Sequence, residues 1–299
     1  MRRWNKSVTT LIAILVASIH CLAPAQTAKR KPNPIVRQVD RLIIQTTDPR
    51  SLFDLLSDSL QLPVAWPLTE SAETAGGAVG VGNANIEVLR TARRKDTSAS
   101  ARAEARFMGL ALEAYPLTGC LAEMKIRGIA CNPPEPYLAT LPDGSRGTSW
   151  TNVVLPQLSG PGLSIFLCEY NPAFLNVQIR RQQLGNRLAL NDGGPLGIER
   201  IKEIVLGSED PATDRSRWEG LLAPAAASPI GVWQAGRGPA IHLVADTRAG
   251  ILRIVLTVKS LERARTFLDG KHLLGAVSAG EIAIAPRRIQ GLAIRLVEK

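Results

Sequence analysis

The sequence predicts an α+β fold in which four β-α-β-β-β units pair into two modules with curved mixed sheets. Three observations predict it. A short β-rich run precedes an amphipathic helical segment four times along the chain. Each unit then closes on a further short strand, with Pro, Gly and β-branched residues between helix and closing strand leaving room for two more. A polar stretch at 172–195 divides the four units into pairs.

The first element lies outside the fold. Arg2, Arg3 and Lys6 precede an apolar run at 8–19, and Ala23-Pro24-Ala25 supplies a small-x-small cleavage pattern. Residues 1–25 are therefore expected to be a signal peptide cut after Ala25, placing the protein in the periplasm or secreted, with no stable membrane insertion after cleavage. The polar Thr9, Thr10, Ser18 and His20 break the run below the ~20 apolar residues a membrane span needs.

The first unit reads as a strand at 39–44, a helix at 51–59 with Leu52, Leu55 and Leu56 on one face, and a closing strand at 85–89. The glycines between 76 and 82 lead into that strand and lack a Lys-Ser/Thr ending, so they read as tight turning and not as a phosphate loop. The second unit has 107–112, a helix at 117–127 and a closing strand at 163–170, after a polar separator at 92–103. The third has 201–206, a helix around 214–222 and 240–244. The fourth has 251–258, a helix at 261–268 with Leu261, Ala264, Phe267 and Leu268 on one face, and 293–297. Asp48 and Ser260 stand where helix N-caps belong. The modules span 35–171 and 196–299, joined by a linker at 172–195.

Composition narrows the function. The chain has 299 residues, 45% of them apolar, enough for a sizeable core. The leader carries three basic residues and no acidic one, so a formal charge of +10 becomes +7 on cleavage. With aromatics at 4% and no nucleic-acid motif, that charge reads as solvated surface, and no nucleic-acid partner is expected. Cys120, Cys131 and Cys168 survive processing; Cys120 and Cys131 are a possible disulfide pair, and Cys168 reads as a small buried hydrophobe. There is no CxxC and no G-x-S-x-G, and only His242 and His272 remain after cleavage. Zinc, dithiol and serine-hydrolase chemistry lack a motif.

Residues 39–44 with Asp48 and the segment 53–64 resemble the opening of the vicinal-oxygen-chelate superfamily, the glyoxalase-like, bleomycin-resistance and extradiol-dioxygenase fold. Residues 82–87 resemble its closing strand. The likeness spans roughly 35–299 and supports fold better than activity. It implies metal ligands, His or Glu/Gln, on the first and last strands, suited to iron, manganese, nickel or zinc. Those first-strand positions hold Arg41, Gly109, Glu203 and Arg253 here. The last-strand positions hold Glu87, either Phe166 or Glu169, His242 and Arg295. Guanidinium has no lone pair to give, and two fixed positive charges disfavour a cation. No metal and no other cofactor is expected.

The candidate site residues follow from that mapping. His242, oriented by Glu203, is the candidate general base, against the plainer reading of a hydrogen-bonded sheet histidine. Arg41, Glu87, Trp150, Asn152, Glu169, Arg253 and Arg295 are the candidate ligand-binding residues, the arginines favouring an anionic ligand. The expected function is binding of a small, anionic organic molecule in one or both concave sheets. The alternative is an enzyme, either a glyoxalase-, lyase- or isomerase-like one working without metal through His242 and Glu203, or a dioxygenase-like one with non-standard ligands. Substrate and oligomeric state are not set by the sequence.

Overall fold

In each unit, a first strand whose apolar residues face a helix is laid parallel to the unit's last strand, so the helix crosses one sheet face. The computed structural model describes residues 30–90 and 104–299. The expected leader at 1–25 and the separator at 92–103 lie outside the described residues.

The first unit comprises β1 (Val36–Thr46), α1 (Pro49–Asp54) continuing into a π-helical turn (Leu55–Ser59), β2 (Val64–Glu70), β3 (Ala75–Gly80) and β4 (Asn85–Arg90). The Asp48 carboxylate accepts from the Ser51 amide at 3.1 Å, capping α1, and Pro49 occupies a first-turn position where an amide would be unused. The glycine run proves to be strand β3, correcting its reading as a turn. A side chain at Gly77 would meet the Leu68 backbone at 2.7 Å, so only glycine allows the two strands this close.

The second unit comprises β5 (Ala105–Ala114), α2 (Leu117–Arg127), β6 (Glu135–Thr140), β7 (Arg146–Val154) and β8 (Ser164–Tyr170). The stretch expected as a linker then contains a 14-residue helix, α3 (Val177–Leu190), capped by Asn176. Its apolar residues are few, so periodicity alone was weak; docking of Leu184 and Leu188, both buried, is what stabilises it.

The third unit has β9 (Ile198–Ser208), α4 (Pro211–Leu222), β10 (Val232–Trp233) and β11 (Ala240–Ala245). It therefore has two strands after its helix, not three. Pro224, Pro229, Gly231, Gly236 and Gly238 fill the intervening segment, and proline cannot donate to a ladder. The fourth unit is complete: β12 (Gly250–Val258), α5 (Leu261–Gly270), β13 (Leu274–Ser278), β14 (Glu281–Ile284) and β15 (Ile294–Glu298), with Ser260 capping α5 through the Arg263 amide at 3.2 Å.

The eight-stranded sheet runs β2-β3-β4-β1-β5-β8-β7-β6 and the seven-stranded sheet β10-β11-β9-β12-β15-β14-β13. In both, the two first strands pair antiparallel at the centre, relating the units of a module by an approximate twofold. One apolar core runs through both modules, from Leu42, Leu52 and Met124 to Trp218, Leu256 and Leu268. Polar contacts reinforce it: Asn83 pairs with both the amide and the carbonyl of Ile201 at 3.0 Å, as a neighbouring strand would. Among the described residues no helix is long and apolar enough to cross a membrane.

Cys120 is buried with its thiol 3.2 Å from the carbonyls of Ile35 and Tyr115, and it is not bonded to Cys131, so the disulfide considered above is absent.

Candidate functional site

One irregularity recurs in all four first strands. An extra residue interrupts pairing at Asp40 in β1, Met108 in β5, Lys202 in β9 and Leu252 in β12. The next residue in each case is Arg41, Gly109, Glu203 or Arg253. A bulge re-aims side chains and raises local twist, so it curves the sheet where a cup needs curving. Parallel pairing then sets Ile43 against Glu87, Ala111 against Phe166, Val205 against His242 and Val255 against Arg295, with the same offset in every unit.

That register decides the second unit. Phe166 is the equivalent of Glu87, and strand alternation turns Glu169 to the opposite face. There the Glu169 carboxylate accepts from the Leu117 amide at 2.8 Å, where a negative charge suits the start of α2. Glu169 is thus a helix-capping residue and not a ligand-binding one.

In the first cup the candidate residues are held internally. Arg41, 6% exposed, donates to Glu87, to Asp40 and to the Tyr170 hydroxyl, each at 2.7 Å. Tyr170 in turn donates to Asp40 at 3.0 Å. The bulge makes this possible, because it puts consecutive residues Asp40 and Arg41 on one side of the sheet. Burial opposes the charge on Arg41, but the surrounding groups outweigh it and raise its pKa well above the ordinary guanidinium value. Burial also pushes the Tyr170 phenol well up and the Cys168 thiol up to about 11. With those two neutral, the charge facing Arg41 is that of Asp40 and Glu87.

Helix α3 completes the network. Arg181 reaches back to Asp40 at 3.0 Å and to Glu113 at 2.8 Å, and Glu113 also meets Arg37 at 3.2 Å. Three guanidiniums thereby face three carboxylates. Leu184 of the same helix packs on Ala65 and Ala78, and its Cβ would lie 3.0 Å from a side chain at Gly80. Just before the helix, Phe174 covers Trp150, which also stacks on Tyr137 with ring centres 5.2 Å apart. Arg41, Glu87 and Trp150 are therefore structural here, correcting their assignment to ligand binding. Asn152 lies opposite Cys168 on the same face, with its Oδ1 buried and unpartnered.

Sequence reasoning missed Asp40, Glu113 and Arg181. The adjacent opposite charges Asp40-Arg41 inside an apolar strand were the available signal for a bulge; nothing local marked Arg181, whose partner is 141 residues away.

The second cup keeps its polar groups free for other work. Directly paired residues share a face, so His242, Val205 and Arg253 form one row across β11, β9 and β12. Ala240, Glu203, Val255 and Arg295 form the next row. Val205 and Val255 are the buried floor, with Glu203 and His242 at one side and the two arginines at the other. His242 Nδ1 lies 3.5 Å from Glu203 Oε2, and their side chains are 20% and 21% exposed. The contact is an ion-pair distance and not a hydrogen bond, and Nδ1 is buried, so the exposed edge of the ring is the one that carries Nε2. Arg295 touches Glu281 at 3.5 Å. Arg253, a half-buried residue, has no hydrogen bond or ion pair among the described residues.

The metal set implied by the family likeness does not fit these residues. The second cup offers two donors, Glu203 and His242, and fills the other two positions with permanent cations. The first offers Glu87 beside Arg41. Among the described residues no three His, Cys, Asp or Glu side chains are grouped to hold an ion.

No protein-family model matches this sequence, and no curated protein does. Solved structures do match it over most of its length. Homoprotocatechuate 2,3-dioxygenase from Arthrobacter globiformis superimposes with a TM-score of 0.58 at 12% identity, over 90% of this chain and 81% of that one. A mutant of 4-hydroxymandelate synthase from Streptomyces coelicolor gives 0.55 at 12% identity, over 88% and 93%. A hypothetical protein from Staphylococcus aureus gives 0.57 at 10% identity, over 88% and 99%. At such identities the likeness is one of fold.

Proposed function

Starting from a chain with the vicinal-oxygen-chelate fold, we propose that it is an exported protein that binds a small anionic organic molecule in the cup of its second sheet, without a metal. The observation that carries this reading is Arg253, which has no hydrogen bond or ion pair among the described residues and stands two strands from His242 above a valine floor. A guanidinium with no counter-charge within the chain is open to an anion, and its planar fork matches a carboxylate. Arg295 adds a second cation, whereas Glu203 sits beside His242, so the arginine side of the cup is the one that receives the acid.

The first cup has the opposite character. Its charges balance within the chain, so an incoming anion would have to displace Asp40 or Glu87 from Arg41. Export rests on the composition of residues 1–25 alone, and protein recovered from the envelope or medium is expected to begin at Gln26 by N-terminal sequencing.

Titration of small aromatic and aliphatic carboxylates, followed by calorimetry, tests the binding site. Arg253→Gln should weaken binding at least tenfold, while Asn152→Ala in the first cup should leave it unchanged. The reverse pattern would move the site to the first sheet and sink this reading.

A further inference from the structure

We infer that the second cup catalyses metal-free proton transfer on a small carboxylic acid carrying a ketone beside an enolisable C–H, with His242 Nε2 as the base. The inference rests on the anion-binding reading and deepens it from ligand class to reaction.

The geometry narrows the substrate in three ways. First, His242 and Arg253 are in register across β9, so their backbones stand about 10 Å apart, two strand spacings. Both side chains leave the sheet on the face of Val205, so a ligand held between them is a molecule of a few heavy atoms. Second, Nδ1 is buried against Glu203 while the His242 side chain is 20% exposed and makes no hydrogen bond, so the ring edge that carries Nε2 is the one open to a bound molecule. Third, the carboxylate of Glu203 lies 3.5 Å from Nδ1, where it favours the proton on that nitrogen, leaves the lone pair on Nε2 and stabilises positive charge appearing on the ring. A histidine serving only the sheet would have its nitrogen satisfied by a strand neighbour.

The two cations then divide the ligand. Arg253, free of internal partners, takes the carboxylate. Arg295 is tied to Glu281 only at 3.5 Å and lies in the row of Glu203, across Val255, where it opposes negative charge developing on a ketone oxygen. In the step, the Nε2 lone pair takes the proton of the C–H beside the ketone. The C–H electron pair becomes the new C=C π bond as the carbonyl π pair moves onto oxygen. His242, now imidazolium against Glu203, returns the proton to oxygen or to carbon. The reaction is keto–enol tautomerisation; no electron acceptor, cofactor or leaving group takes part.

The experiment uses pyruvate, 2-oxobutyrate and phenylpyruvate in deuterium oxide, with proton NMR reading loss of the signal beside the ketone and calorimetry reading binding. Wild-type protein is expected to bind at least one of these acids and to speed its exchange above the buffer rate. His242→Gln should bind it equally but exchange at least 100-fold more slowly. Glu203→Gln should fall between the two, and Arg253→Gln should lose binding and exchange together. Binding without accelerated exchange in the wild type would overturn the inference and leave the binding reading intact. Unchanged exchange in His242→Gln would overturn it as well. Failure to bind any of the acids, or any carboxylate in the titration above, would overturn both.

Discussion

Arg41 and Arg253 follow the same bulge in equivalent strands and have opposite fates. Arg41 is enclosed by Asp40, Glu87 and Tyr170, while Arg253 is left for something outside the chain. Their substitutions should differ accordingly. Asp40→Asn leaves Arg41 and Arg181 with one carboxylate fewer in a water-poor cup and is expected to cost about 3–5 kcal/mol, whereas Arg253→Gln should stay within about 0.5 kcal/mol of wild type. Urea denaturation of both variants checks the contrast. The buried thiols set an alkaline limit at the same scale. Burial pushes Cys120 and Cys168 from 9.0 up to about 11. Below pH 9 each thiol is protonated in both states and the protein keeps its full stability. Between 9 and about 11 the unfolded chain releases protons that the folded one retains, so stability falls as pH rises through that interval. Cys168→Ala should flatten the dependence of the urea midpoint on pH there.

Among the elements, α3 has the largest consequence for function. Its sequence is short of apolar residues, yet Leu184 docks against Gly80, Ala65 and Ala78, and Arg181 enters the first cup. The glycines and alanines of β2 and β3 are what let a helix approach that face. Leu184→Ala should cost about 2–5 kcal/mol, because the surrounding strands cannot close the gap. Protection of the α3 amides from hydrogen exchange should fall in that variant, while amides of β12 and β15 keep theirs; equal loss in all three would mean that α3 is not an element with its own docking energy. The bulges act at the same scale. Each is a single residue, and together they give both sheets the curvature and the matching offsets that make a cup.

Across the whole molecule, the apolar core is continuous between the two modules, and Asn83 and Gln290 tie the sheets by side chain to backbone. Heat unfolding monitored by calorimetry is therefore expected as one cooperative transition for 32–299, not two; two resolved transitions would show that the modules are energetically separate. The helices over 117–127 and 261–268, the caps Asp48 and Ser260, and the first and last strands of each unit were legible because period and capping chemistry are local properties of the chain. The site was less so. The family likeness put Glu203 and His242 side by side and they stand 3.5 Å apart, but it left Phe166 and Glu169 as alternatives, and pairing with Ala111 chooses Phe166, since a short apolar run does not show its own register. Helix α3 was read as linker because its stability comes from docking. By itself, then, the sequence determined the four units and their α+β class. Only the tertiary structure decided which of the candidate site residues are spent internally and which are free. The reason is that Arg181 meets Asp40 across 141 residues, and Arg41 meets Tyr170 across 129, and no local pattern encodes a partner at such a distance.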